Sequence, residues 1–275
     1  MRTKLPLAAR LCFVLFLLQL LSCNKIDLND LLHHPDKVPQ LCDIEKITSI
    51  IDYGYSHDTT IATFYYNKSG DPLKVLFNHP STGRPHLTFR YNKQGRLTDY
   101  IGPYSEGPNT SFEFWYRYQY DPQGKKIIGD SSFGMGQMVN NELVPYDQFT
   151  TVATYEYDSY GRVSKTVRRW VNIPELPLQT FTYSYDSKGN LAVKRWYEGD
   201  NIENETFYTY GDKPNLHRTN KVWMIVDYDY SVNNSLQALS YNKYGLPLKT
   251  GLAGGSYYFL YQIPLSQASF VYSCK

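Results

Sequence analysis

Several things this chain lacks narrow the reading before any motif is found. Cysteine is scarce, with four in 275 residues, and no Cys-x-x-Cys pair is present to hold zinc or exchange disulfides. Charge of one sign is also missing. The net charge is +2, which gives no electrostatic footprint for nucleic acid, so no nucleic-acid partner is expected. There is no P-loop, no Rossmann glycine fingerprint, no G-x-S-x-G elbow and no H-E-x-x-H. No residue is assigned as catalytic, and neither a metal nor a cofactor is expected. His33-His34 lies in a polar stretch, and His79 and His86 flank a turn-rich connection without a third ligand beside them. The one long apolar run, Leu11 to Leu21, is too short for an ordinary membrane span.

What is present in abundance is aromatic. Aromatics make up 16% of the chain, with 27 Tyr and 13 Phe, and such side chains suit a pleated, half-buried surface. They fall into a recurring unit, clearest in Tyr155-Glu156-Tyr157-Asp158-Ser159-Tyr160-Gly161-Arg162-Val163. Tyr155 and Tyr157 are two apart and share a face of an extended strand. Asp158 opens a turn, because its carboxylate can accept a local backbone N–H. Gly161 suits the left-handed position that ends a three-residue hairpin loop with a bulge. Val163 restarts the strand. In this register Asp158 faces Arg162 and Tyr157 faces Val163, cross-strand pairs worth roughly 0.2–1 kcal/mol each.

The same turn is expected at Asn67 and Gly70, Asn92 and Gly95, Asp121 and Gly124, Asp186 and Gly189, and Asn242 and Gly245. Pro72 and Pro247 stand where two return strands begin, so those returns should start late or at a bulge. Tyr208 to Asp212 is a degenerate copy. Tyr66 to Tyr91 is 25 residues, Tyr91 to Tyr120 is 29 and Tyr120 to Tyr157 is 37. A solenoid needs a fixed period, so the uneven spacing predicts a meander of hairpins.

Over roughly Phe64 to Leu248 the unit resembles the tyrosine–aspartate (YD) repeat of Rhs-type proteins. It is more similar still to short YD-repeat bacterial lipoproteins of unknown function. The resemblance implies antiparallel β-structure. In long Rhs proteins such sheets form a shell around a toxin, a role that leaves this much shorter chain as a distant relative.

Residues 1–22 read as a lipoprotein signal peptide. Arg2, Lys4 and Arg10 form the positive start, and the apolar run ends in Leu20-Leu21-Ser22-Cys23. That sequence resembles a lipobox, which implies lipidation of Cys23 and a membrane partner through the anchor. The implied location is the bacterial cell envelope, at the outer membrane on its periplasmic or surface side. Residues 23–41, with Pro35 and Pro39, read as a lipidated tether, and residues 42–275 as the YD-repeat-like β domain. Cys42 and Cys274 remain as a candidate disulfide in an oxidising compartment. It would join the first and last strands, with the sheet's two ends meeting there, and would remove roughly 4–5 kcal/mol of chain entropy.

The expected fold is all-β: an antiparallel meander of hairpins, twisted and curled toward a barrel or a half-open wrap. An elongated single-layer sheet is the alternative. Open sheets of many strands usually curl or split, which favours the wrap. The Tyr-x-Tyr faces should point inward and the Asp158–Arg162 face outward. Lys46 to Tyr53 reads as a first strand, and Val222 to Tyr230 as the most apolar strand, placing Asp227 and Asp229 on one face. Two carboxylates so placed serve a cation, a glycosidase mechanism or neither. Gly129 to Tyr146 is aperiodic and reads as a loop, as does Val171 to Gln179. Trp170 and Trp196 are candidates for ligand stacking as well as for sheet packing. A scaffold or binding role is the reading favoured over an enzyme acting on polysaccharide, with a glycan or a protein as the partner.

Overall fold

The computed structural model describes residues 34, 40–52, 57–146, 150–252, 257–260 and 262–275. The residues read as a signal peptide, Cys23, His33 and most of those read as a tether lie outside the described residues. The strands are β1 Cys42–Asp52, β2 His57–Tyr66, β3 Pro72–Phe77, β4 Leu87–Tyr91, β5 Leu97–Pro103 and β6 Thr110–Tyr120. They continue with β7 Ile127–Val139, β8 Glu142–Pro145, β9 Thr150–Tyr157, β10 Val163–Trp170, β11 Gln179–Tyr185, β12 Leu191–Glu198 and β13 Asn201–Phe207. After a buried 3-10 turn, Leu216–Thr219, and one helix, α1 Lys221–Asp227, come β14 Ala238–Tyr241, β15 Pro247–Thr250, β16 Tyr258–Phe259, β17 Ile263–Pro264 and β18 Ser269–Cys274.

All but β16 and β17 belong to one sixteen-stranded sheet, ordered β13-β12-β11-β10-β9-β7-β6-β5-β4-β3-β2-β1-β18-β15-β14, with β8 branching from β7. The paired strands are antiparallel, and the end strands β13 and β14 are not paired with each other. The fold is therefore an all-β antiparallel meander in an open wrap, not a closed barrel.

The hairpin turns follow from the repeat chemistry. Asp158 Oδ1 accepts from the N–H groups of Tyr160 (2.9 Å) and Arg162 (3.0 Å), and Gly161 sits at φ 80°. Asn67, Asn92, Asp186 and Asn242 accept from the residues two and four positions on in the same way. Asp121 accepts from Lys125 and Lys126 instead, because its turn is one residue longer. Each of these hairpins slips register just before its turn, as a bulge requires.

The second tyrosine of each unit then makes a bond that the repeat alone does not reveal. Its hydroxyl donates to the main-chain carbonyl at the start of the neighbouring unit's return strand. Tyr91 reaches Pro72 (2.7 Å), Tyr120 reaches Leu97 (3.0 Å), Tyr157 reaches Ile127 (2.6 Å) and Tyr185 reaches Val163 (3.1 Å). The degenerate copy keeps the bond, from Tyr210 to Leu191 (3.0 Å), and Tyr272 in the last strand reaches Pro247 (2.8 Å). Tyr66 starts the series at Ile44 (2.8 Å), beside the irregularity in β1. A bulge interrupts the ladder locally, and a phenol O–H is a donor long enough to reach a carbonyl there. Burial pushes these phenols above their ordinary pKa, to about 12 at Tyr120. The copy at Leu239 departs from the pattern: its aliphatic residue is exposed and Tyr241 accepts from Ala238 N–H.

The first aromatic of each unit points into the wrap. Phe64, Phe89, Tyr118, Tyr155 and Tyr183 are all buried in one core. The centre of that core is the segment expected to be the most apolar strand. Val222 to Tyr230 is instead α1, ending at Tyr228 in the left-handed region (φ 55°). Asn220 caps the helix by accepting from Val222 N–H. A short segment buried on several sides is apolar whichever way it folds, so its pattern does not separate helix from strand. Trp223, fully buried, lies 5.5 Å from Phe89, 5.8 Å from Phe64 and 5.8 Å from Phe259, edge to face in each case. The helix thus plugs the wrap. Asn220 Nδ2 ties it to Gly70 O (2.9 Å), and Asn233 and Asn190 bond reciprocally, so both arms of the sheet hold it.

Three further expectations change. Gly129 to Tyr146 is not a loop but most of β7 and all of β8, joined by Asn140 and Asn141 at φ 52° and 67°, the two positive angles of a type I′ hairpin. Its pattern is aperiodic because its glycines make room for neighbours: a Cβ on Gly136 would lie 2.3 Å from the Phe112 ring, and one on Gly129 would lie 2.1 Å from Ala153 O. Arg162 does not face outward. It is buried, paired with Asp158 (2.7 Å) and packed 4.0 Å from the centroid of the Tyr185 ring. Finally, Cys42 and Cys274 are disulfide-bonded with Cα atoms 4.0 Å apart, but β1 and β18 are neighbours within the sheet, so this bridge does not join the sheet's ends.

Removing one phenol bond while keeping the ring isolates its contribution. Tyr157→Phe should lower the unfolding free energy by about 1–2 kcal/mol, since a buried carbonyl loses its donor. Tyr65→Phe, on an exposed ring, should change it by less than about 0.5 kcal/mol. Urea midpoints at constant m-value read both, and equal midpoints would remove the bond from the stability of the fold.

Candidate functional site

Beside the plug, the concave face opens into a cleft of about 510 Å³. One wall is the plug itself. Asn215 caps the 3-10 turn by accepting from His217 N–H, which fixes the imidazole toward the end of α1. There Asp227 Oδ2 meets His217 Nε2 at 2.6 Å and also accepts from Leu260 N–H at 2.7 Å. The left-handed Tyr228 turns the chain, and Asp229 Oδ2 comes to 3.4 Å from His217 Nδ1. Asp229 also accepts from Ser231 N–H and Asn215 Nδ2. The two carboxylates singled out in the sequence are therefore brought together, but around a buried histidine and not on one face of a strand. Both are engaged by protein donors. Burial pushes the His217 pKa down, and the charges of Asp229 and Asp227, with the Asp227 hydrogen bond, more than reverse this, so the net shift is upward.

The opposite wall comes from the sheet. Lys194 on β12 lies across the cleft with Tyr183, Tyr208 and Tyr210. Its ammonium sits over two ring faces, 5.3 Å from the Phe181 centroid and 5.8 Å from that of Tyr183. Burial pushes its pKa down, against the opposing charge of Asp227. Trp196, two positions along the same strand, stacks on Phe181 at 6.2 Å and 11°. Its Nε1 is buried and makes no hydrogen bond. Nothing in the local sequence marks Lys194 or His217, because their neighbours come from elements far apart in the chain.

Trp170 stands higher on the same concave face. It borders a second cavity of about 430 Å³ with Tyr116, Arg168 and Gln179. Arg168 is held there by Asp130 (3.1 Å) and donates to Ser132 Oγ. Tyr155 OH donates to Asp130 and meets Tyr228 OH at 2.6 Å. Burial raises the Asp130 pKa, opposed by Arg168 and Tyr155. This cluster is a satisfied strut between sheet and plug. Of the remaining histidines, His34 packs edge-on against Tyr160 at 5.5 Å, and His86 Nδ1 accepts from Phe77 N–H. Among the described residues no group of three or more His, Cys, Asp and Glu has the geometry to hold a metal ion, and no helix is long and apolar enough to cross a membrane.

No family model matches this chain, and no curated protein matches it. One solved structure with partial similarity is the crystal structure of TcdB2-TccC3-TEV: 14% identical, covering 76% of this chain and 12% of that one, with a TM-score of 0.22. The chain thus spans about an eighth of that protein, and a likeness of this size carries no conclusion about function.

His217 makes the site sensitive to pH in a defined direction. A folded pKa raised above the usual 6.5 means that its contribution to stability is full below about pH 6.5 and is lost as pH rises through the folded value. Thermal melting across pH 5.5–9 should show that decline in the wild type and a flatter profile in His217→Gln. Parallel profiles would show that the imidazole takes up its proton equally in the folded and unfolded states, and would overturn the upward shift.

Proposed function

We propose that this chain is a lipid-anchored cell-envelope protein of the YD-repeat type, a β-scaffold that displays a glycan-binding cleft. The observation that carries the binding role is the aromatic character of this face: Tyr183, Tyr208 and Tyr210 line the cleft with Lys194, and the stacked Phe181–Trp196 pair stands beside it on the same two strands, next to carboxylates already committed to His217. Hydrolysis of a glycoside needs one carboxyl group free to give a proton and another free to attack or activate water. Asp227 and Asp229 instead hold a histidine and backbone N–H groups together, which favours binding over turnover. The plug argues in the same way against a shell around another protein, because α1 and Trp223 occupy the interior that a cargo would need.

Anchoring rests on Leu20-Leu21-Ser22-Cys23 after a positive, then apolar, leader. Cys23→Ser should move the protein from the membrane fraction to the soluble fraction and abolish incorporation of labelled fatty acid. Continued partition into detergent without acylation would overturn the anchor.

Glycan binding is tested with the domain from Cys42 onward, its disulfide intact, on an array of bacterial and plant polysaccharides. Trp196→Ala should weaken any saccharide bound by about tenfold, roughly 1.4 kcal/mol. Retention of full affinity in that variant would move the site elsewhere. Absence of saccharide binding by the wild type would overturn the reading.

A further inference from the structure

We propose that the cleft selects an acidic oligosaccharide, with a carboxylate of a uronic acid on the Lys194 ammonium and a sugar ring against Phe181 and Trp196. The inference rests on the glycan reading above and adds the class of sugar.

Lys194 is the observation that carries it. Its ammonium lines the cleft between sheet and plug, and the contacts it makes among the described residues are ring faces, those of Phe181 and Tyr183. A half-buried ammonium against aromatic rings gains a cation–π attraction, but that replaces only part of the hydration it has lost. Elsewhere in the sheet the inward cations are matched: Arg168 has Asp130, and Arg162 has Asp158. Here the nearby carboxylates are turned to other donors. Asp227 is held by His217 and Leu260 N–H, and Asp229 by Ser231 N–H, Asn215 and His217. The imidazole between those two acids draws protons toward the site, which lessens the repulsion that an incoming anion would meet from them. Burial holds the lysine pKa down although the charge of Asp227 opposes it, and an anionic ligand on the ammonium would add a second opposing charge.

The spacing fits a sugar that carries its charge beside its ring. Lys194 and Trp196 are alternate residues on one face of β12, so their Cα atoms are about 7 Å apart. Phe181 lies between them, 5.3 Å from the ammonium and 6.2 Å from the Trp196 ring. A ring stacked on the aromatic pair thus brings a substituent within reach of the ammonium. Tyr208, partly buried on the same wall, adds a hydroxyl to the cleft.

Calorimetry with oligogalacturonate and with its fully methyl-esterified form separates charge from shape, because the sugar is otherwise the same. The disulfide-intact wild type should bind the acid, and esterification should weaken binding at least about tenfold. Lys194→Met should lose the same factor for the acid and change nothing for the ester, while Lys194→Arg should retain most of the acid affinity. Lys194→Met removes a desolvated charge that makes no hydrogen-bonded ion pair, so its melting temperature should stay close to or above that of the wild type, which distinguishes lost recognition from lost folding. Equal affinity for acid and ester, or an undiminished Lys194→Met, would overturn the acidic-sugar proposal and leave the glycan reading standing. Binding of neutral cello-oligosaccharides but not of oligogalacturonate would have the same meaning. Failure to bind acid, ester and neutral sugar alike would overturn both.

Discussion

The bond from a tyrosine hydroxyl to the carbonyl beside the neighbouring bulge is the interaction on which the rest of the sheet depends. A hairpin with a left-handed glycine twists strongly and disturbs its own ladder at the bulge. Repeated along a sheet, that disturbance would leave a row of poorly satisfied carbonyls at one rim. The second tyrosine of every unit but the copy at Tyr241 supplies a donor there, and because it reaches the adjacent unit it also fixes how successive hairpins sit against each other. Turn, bulge and phenol are therefore one device. This explains why Tyr210 and Tyr272 keep their bonds although neither precedes a standard turn: the constraint belongs to the rim they reach, not to the loop that follows them.

Much of this was legible in the sequence because the physics is local. Asp158, Gly161 and their counterparts act within a few residues, so spacing alone predicts the turn and the direction of each aromatic. What was not legible depends on partners distant in the chain. Val222 to Val226 is apolar because it is surrounded, and nothing in five residues says by what. Gly129 and Gly136 look like loop glycines until the backbone of Ala153 and the ring of Phe112 are placed against them. Arg162 looks like a surface residue until Tyr185, from the next hairpin, covers it.

The candidate site divides in the same way. Asp227 and Asp229 stood out for their spacing, and they do converge, but the residue that gives them meaning, His217, lies ten positions before the first and on a different element. Lys194 has no sequence signal at all. Its interest comes from the cleft wall opposite it and from acids whose hydrogen bonds are already occupied. A cleft assembled between a repetitive sheet and a non-repetitive plug lets the two evolve under separate demands: the sheet must keep its rim bonds, while the wall facing it can vary in charge and shape.

The position of β18 has a consequence for the order of assembly. It lies between β1 and β15, so the first strand keeps one bare edge until almost the last residues of the domain arrive, 232 positions after Cys42. Most of the meander can form hairpin by hairpin through near neighbours, a rapid process, whereas this pairing is among the most distant in the chain and must come late. Until then β1 presents unpaired N–H and C=O groups, the feature through which sheets join wrongly to other chains. A domain not yet extended to β18, or shortened before it, is thus at risk at β1, an edge that the folded sheet covers.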